Sequence, residues 1–392
     1  MTTSVSIPPG IRLLAPGIRR VAGQIGLGLL ATLSCAEPSG PSTHNHSRRL
    51  LIAGTEDGAI VVDLDWRGIV RRMGPRFVSH GPTVLDARNT LITVGRLQSD
   101  DQIMVGLDAT SGLELWRVAL ASGTMPATVD GVELGSSMIA AHPTLSEVFL
   151  WRSTLDGVNG VAAYDYRQKQ VRRFYGPMVG RFRAMAATPP TAEHPHGCLV
   201  VGADSGQAAL ARAYLHVACE DTFESREAIN IDLPSRFVVQ MQTSADGKDL
   251  LVMTDLAILK YDAATMGLKE NASRPLAAPF FLTRFGSRLV IPDVGSSVVA
   301  SSGIIYLLDA SLELALVVDL RILPFGERPL GIMGAEESLD RRWLYILGGV
   351  PRDGPLYGPE RTHVVVIDQA SGQVADVVRL NTFGGGTPYL VP

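Results

Sequence analysis

The sequence predicts an all-β fold: a β-propeller of seven four-stranded antiparallel blades, closed by a C-terminal strand that joins the first blade. Three observations point there. Forty glycines and 24 prolines are spread through a chain of 392 residues that is 46% apolar, which suits many short strands and turns. One acidic turn phrase returns at intervals of roughly 50 residues. The two ends of the repeating region complement each other, as a closed ring of blades requires.

The first 48 residues stand apart. Arg12, Arg19 and Arg20 precede an apolar run from Val21 to Leu33 that ends in Ser34-Cys35. A basic start, a short apolar core and a small residue describe an export signal, and the run is short for a membrane span. Thr32-Leu33-Ser34-Cys35 resembles a bacterial lipobox, with Thr32 where that motif prefers Leu. The resemblance makes residues 1–35 a signal peptide of lipoprotein type, with Cys35 the lipidation site. A plain secretory signal and an interfacial helix are the alternatives. Residues 36–48, rich in Pro, Ser and Gly, read as a flexible tether, and residues 49–392 as the propeller. In the resembled lipoproteins an aspartate after the cysteine favours the inner membrane. Ala36 stands there, so the expected location is the periplasm or cell surface, leaning to the outer membrane where there is one.

The repeat is centred on Asp63, Asp108, Asp165, Asp262, Asp309 and Asp368, each closing a β-rich run before a short turn. The interval from Asp165 to Asp262 is about double the others, so it holds one degenerate unit and makes the count seven. The second unit resolves into runs at 83–87, 91–94, 102–107 and 113–118. Aspartate before Ser, Thr or Gly is turn chemistry, because the short carboxylate bonds nearby backbone N–H groups. The recurring aspartates are therefore read as turn supports between third and fourth strands. The first unit shows only three runs (50–53, 59–64, 69–73), and the orphan GTPYLVP at the C-terminus supplies the missing one.

Two segments, Val239 to Thr265 and Thr362 to Leu380, resemble the YVTN and quinoprotein-like propeller repeats of exported bacterial proteins. Asp246-Gly247-Lys248 and the stretch from Asp368 to Gly372 carry the likeness. The resemblance implies the fold more than any activity. The resembled quinoprotein dehydrogenases hold their cofactor with tryptophan-rich blades. The four tryptophans here, at 66, 116, 151 and 343, have no consistent repeat place, so no cofactor is expected.

With 35 Lys and Arg against 39 Asp and Glu, no global positive field marks a nucleic-acid binder. A hairpin centred near residues 208–209 would set Cys198 and Cys219 opposite each other, as a disulfide or as two separate buried thiols. His194, His196 and Cys198 are donor types for zinc, but Pro195 and Gly197 read as a loop, and no metal site is expected. The loops leading into the innermost strands open on one face around the channel. They collect His80, Arg181, Arg183, Arg236 and Arg328, either a rim for an acidic ligand or partner, or arginines paired with neighbours such as Asp232 and Glu327. A Pro- and Gly-rich insertion at 348–361 adds Arg352 and Tyr357 as contact candidates. The reading is a non-catalytic binding or scaffold protein, held to the membrane by its lipid alone, with an envelope protein or glycan as partner. Its oligomeric state is not legible. A propeller-type hydrolase or lactonase with a site on the channel axis is the alternative.

Overall fold

Aliphatic residues on both faces of the second and third strands leave no side of the sheets' middle for water, so each sheet must pack between two others. The computed structural model shows how. It describes residues 49–390 except 56–57, 78, 87, 123–124, 127, 130–131, 134–137, 154–158, 179, 193, 206–211, 220–228, 245, 274–280, 284–287, 295–300, 324–329, 352–358 and 383–387. The signal, the tether and Cys35 therefore lie outside the described residues, as do Arg328, Arg352 and Tyr357.

Seven four-stranded antiparallel blades follow in chain order, each counted here from its innermost strand outward. Blade one is built from Pro388–Leu390, Arg49–Thr55, Gly58–Asp63 and Gly68–Met73. Blade two is Ser79–Leu85, Thr90–Arg96, Gln102–Asp108 and Glu114–Ser122, with Met125–Pro126 added at its outer edge. Blade three is Ile139–Ala141, Glu147–Ser153, Asn159–Asp165 and Gln170–Met178. Blade four, the degenerate unit, is Arg181–Ala187, Leu199–Asp204, Ala213–Ala218 and Ile229–Asp232. Blade five is Val238–Thr243, Asp249–Thr254, Ala257–Asp262 and Leu268–Ser273. Blade six is Phe281–Leu282, Leu289–Val294, Ser301–Leu308 and Leu314–Asp319. Blade seven is Gly331–Glu337, Trp343–Pro351, Pro359–Asp368 and Val374–Leu380.

The C-terminal strand pairs antiparallel with blade one, Leu50 opposite Leu390 and Ile52 opposite Pro388. This is the expected closure. Alternation along the strands explains the packing, because successive side chains point to opposite faces. Leu51 and Val61 face blade two and meet Leu91, Val105 and Leu107. Leu50, Ile52, Ile60 and Val62 face the other way and meet Tyr345, Leu347, Val364 and Val366 of blade seven. Equivalent apolar layers join each remaining pair of neighbours round the ring.

Some boundaries differ from expectation. The first strand of blade two ends at Leu85, because the Asp86 carboxylate turns back to accept the N–H groups of Arg88 and Thr90 at 2.8 and 2.7 Å. In blade seven the strands run well into the insertion, where Val350 still pairs with Arg361.

Candidate functional site

The antiparallel order gives the ring two unlike faces. Starts of first strands and second-to-third connections share one, the channel face. First-to-second and third-to-fourth turns share the other, the turn face.

On the channel face, His80 lies in the first strand of blade two, its backbone paired with Gly95. Arg181 opens the first strand of blade four, is exposed, and faces Asp204 in register. Arg183 Nε stands 2.5 Å from Oδ2 of Asp204, a carboxylate buried at the end of the neighbouring strand. Arg236, just before blade five, holds Asp255 with Nε at 3.0 Å and donates its backbone N–H to the same carboxylate at 3.0 Å. Arg183 and Arg236 are thus partnered, though not by the expected Asp232, which is exposed. Antiparallel pairing brings the end of the second strand, or the turn after it, beside the start of the first, and that places Asp204 and Asp255. Two of the three described arginines are neutralised, which leaves Arg181 as the outward charge among them.

The turn face is where the repeat is written. Oδ1 of Asp63, Asp108, Asp165, Asp262, Asp309 and Asp368 each accepts two backbone N–H groups from the following residues. These bonds favour the charged form. The Ser111 N–H holds Asp108 below the usual carboxylate range, and the Ser371 N–H does the same for Asp368. Lys269, with the Thr265 N–H, holds Asp262 lower still. Burial alone would raise Asp165, but bonds from Gln168, Arg167 and Arg172 outweigh it. Near the end of most of these turns one residue takes a left-handed conformation, with φ of 74° at Gly112 and 72° at Gly372. Arg67, Lys169 and Met266 adopt it too, at 54°, 56° and 55°.

A second repeated position escaped the sequence reading. In blades two to seven the residue after the first strand caps the next turn with its side chain: Asp86, His142, Thr188, Ser244, Thr283 and Ser338. In blade three the cap is a buried histidine. Nδ1 of His142 accepts the N–H groups of Thr144 and Leu145 at 3.1 and 2.9 Å, so Nε2 carries the proton and donates to the His196 carbonyl of blade four. Burial lowers its pKa and keeps the ring neutral. Another link between blades is the Tyr166 hydroxyl, which donates to Asp86 at 2.6 Å; burial and that carboxylate push its pKa up to about 12. A groove of about 320 Å³ between blades five and six contains Asp249, Lys260 and Asp309. Lys260 there donates to the Ala310 carbonyl at 2.7 Å and lies 3.5 Å from both Asp249 and Glu270.

Blade four departs from this scheme. Cys219 occupies the place of the turn aspartate and is joined to Cys198 by a disulfide. His194, Cys198 and Cys219 bring a ring nitrogen and two sulfurs within 4.8 Å of one another. Sequence reasoning had the residue types, but the approach of His194 to Cys219 depends on pairing between the second and third strands.

No family model matches the sequence, and no curated protein matches it. Solved structures match at the level of fold. A functionally unknown protein from Desulfotomaculum acetoxidans DSM 771 aligns with a TM-score of 0.52 and 12% identity, over 88% of this chain and 98% of that one. The dihydro-heme d1 dehydrogenase NirN, solved in complex with DHE, aligns with a TM-score of 0.51 and 14% identity, over 90% and 77% of the two chains. Such likenesses establish the propeller architecture alone.

Proposed function

We propose that the chain is an envelope-tethered, non-catalytic binding or scaffold protein of the exported YVTN-like kind, which engages a protein or glycan partner with its channel face. One observation supports this above others: the six recurring aspartates, the most tempting catalytic set in the sequence, are each committed to backbone N–H groups of their own turns. Charge on the channel face favours an acidic contact at Arg181 in particular, since Arg183 and Arg236 spend theirs on Asp204 and Asp255. The alternative, a hydrolase with its site on the axis, draws on Glu336 and Glu337, two buried carboxylates on the innermost strand of blade seven.

The test is fractionation of producing cells combined with a photo-crosslinking residue at position 181. The expected result is a diacylated Cys35 in the membrane fraction, by intact mass, and a discrete crosslinked product from position 181. A soluble, unlipidated chain that gives no product from that position would overturn the reading.

A further inference from the structure

Blade four breaks the regularity of the turn face twice. Its first-to-second connection runs from Thr188 to Cys198, where blades three and seven use the tight turns 142–146 and 338–342. The facing positions at the base of these turns hold Thr90 and Asp108 in blade two, Glu147 and Asp165 in blade three, and Asp249 and Asp262 in blade five. In blade four the same places hold Cys198 and Cys219. The cross-strand sulfurs therefore stand where the rest of the ring keeps its turn carboxylate.

The loop between Thr188 and Cys198 is built around His194. Its N–H donates to the Thr191 hydroxyl at 2.9 Å, and its carbonyl accepts the N–H groups of Thr191 and Gly197 at 2.9 and 2.8 Å. Cys198 donates its N–H to the Thr188 hydroxyl at 2.9 Å, and buried His142 reaches across from blade three to hold the His196 carbonyl. These bonds fix the segment at both ends of the His194 side chain's reach. The ring is half-buried, with a nitrogen within 4.8 Å of both sulfurs.

We propose that this is a thiol-gated site for zinc. While the disulfide is intact the sulfurs have no thiolate to offer and the site is closed. A dithiol reductant opens it by exchange. One of its thiolates attacks a disulfide sulfur, and its second thiol then displaces the protein thiol, so that the reductant leaves as a disulfide while Cys198 and Cys219 each gain one electron and one proton. Zn²⁺ then displaces the two thiol protons and is held by both thiolates and the His194 imidazole, with water as fourth ligand. In a tetrahedral site with Zn–S near 2.3 Å and Zn–N near 2.0 Å, donor atoms lie about 3.3–3.8 Å apart, so once reduced the two sulfurs part from bonding distance by rotation of their side chains and His194 closes by up to about 1 Å. A short side-chain movement on an otherwise pinned loop achieves that. Soft sulfur donors with one imidazole select zinc over magnesium or calcium, which prefer oxygen.

The test uses the full chain carrying Cys35→Ser, so that Cys198 and Cys219 are its only thiols. Co²⁺, a spectroscopic stand-in for zinc, is added before and after reduction with a phosphine. The reduced chain is expected to bind one Co²⁺ with a thiolate-to-metal charge-transfer band, to lose the band on adding Zn²⁺, and to show none while oxidised. Removing a ligand should cost at least as much as removing a neighbour that orients one, so His194→Ala should weaken Co²⁺ binding by about 10–100-fold or more. Circular dichroism of that variant serves as the check that its blades remain folded. No charge-transfer band after reduction, an equal band in the oxidised chain, or full affinity in a folded His194→Ala variant would each overturn the proposal.

Discussion

Replacing His142 should separate the two jobs this buried ring performs. His142→Ala removes the acceptor of the Thr144 and Leu145 N–H groups and the donor to the His196 carbonyl, at a half-buried seam between blades. A lost hydrogen bond costs about 1 kcal/mol, so with the lost packing of the buried ring the change should destabilise by roughly 3 kcal/mol. His142→Asn should cost only about 1 kcal/mol. Its amide oxygen can accept both turn N–H groups, as Asp86 does in blade two, and only the bridge to blade four is lost. The histidine also predicts a pH dependence. Burial depresses its folded pKa below the unfolded 6.5, so the stability it contributes is present above pH 6.5 and is lost as pH falls below that value towards the folded pKa. Between pH 7.5 and 5.5 the native protein should lose up to about 1.4 kcal/mol that His142→Asn does not lose. Equilibrium urea unfolding followed by tryptophan fluorescence at both pH values measures all of this. An alanine variant as stable as the native protein, or an identical pH loss in the asparagine variant, would rule out both roles for His142.

Other expectations follow from the same bonds. Because Asp108, Asp165, Asp262 and Asp368 are all held below 3.8 in the fold, their contribution is present above pH about 4 and lost as pH falls further; acid titration should show this second loss, reduced in Asp262→Ala. Arg183→Ala leaves the buried Asp204 carboxylate without its guanidinium and should destabilise by about 2–4 kcal/mol, much of it recovered in the double variant with Asp204→Asn, as a double-mutant cycle in urea would show. Lys169→Gly relieves a left-handed residue and should stabilise by up to about 1 kcal/mol, read from the thermal midpoint; a fall would count against that turn geometry.

Which features the sequence disclosed follows from how local their physics is. The turn aspartates were visible because Oδ1 of each accepts backbone N–H groups only two to four positions on, so one residue type serves in every regular blade. The caps after the first strands were hidden because Asp, His, Thr and Ser all supply the needed acceptor or hydroxyl. Arg67, Lys169 and Met266 in left-handed positions erased the glycine that would have sharpened the repeat. Blade four read as degenerate because Cys219 replaces its aspartate. The arginine partners were not legible, since Asp204 and Asp255 reach Arg183 and Arg236 only through strand register. His194 likewise meets Cys219 only once the second and third strands have paired.

The ring is sealed by the strand Pro388–Leu390 paired with blade one. Hydrogen–deuterium exchange of the full chain and of a chain ending at residue 387 tests that seal directly. In the full chain the segment Leu50–Ile52, paired to Pro388–Leu390 and packed against blade seven, should exchange slowly. In the shortened chain it should exchange fast, with the exposed strand edge driving self-association. Equal protection of residues 50–52 in a monomeric shortened chain would contradict the closed ring.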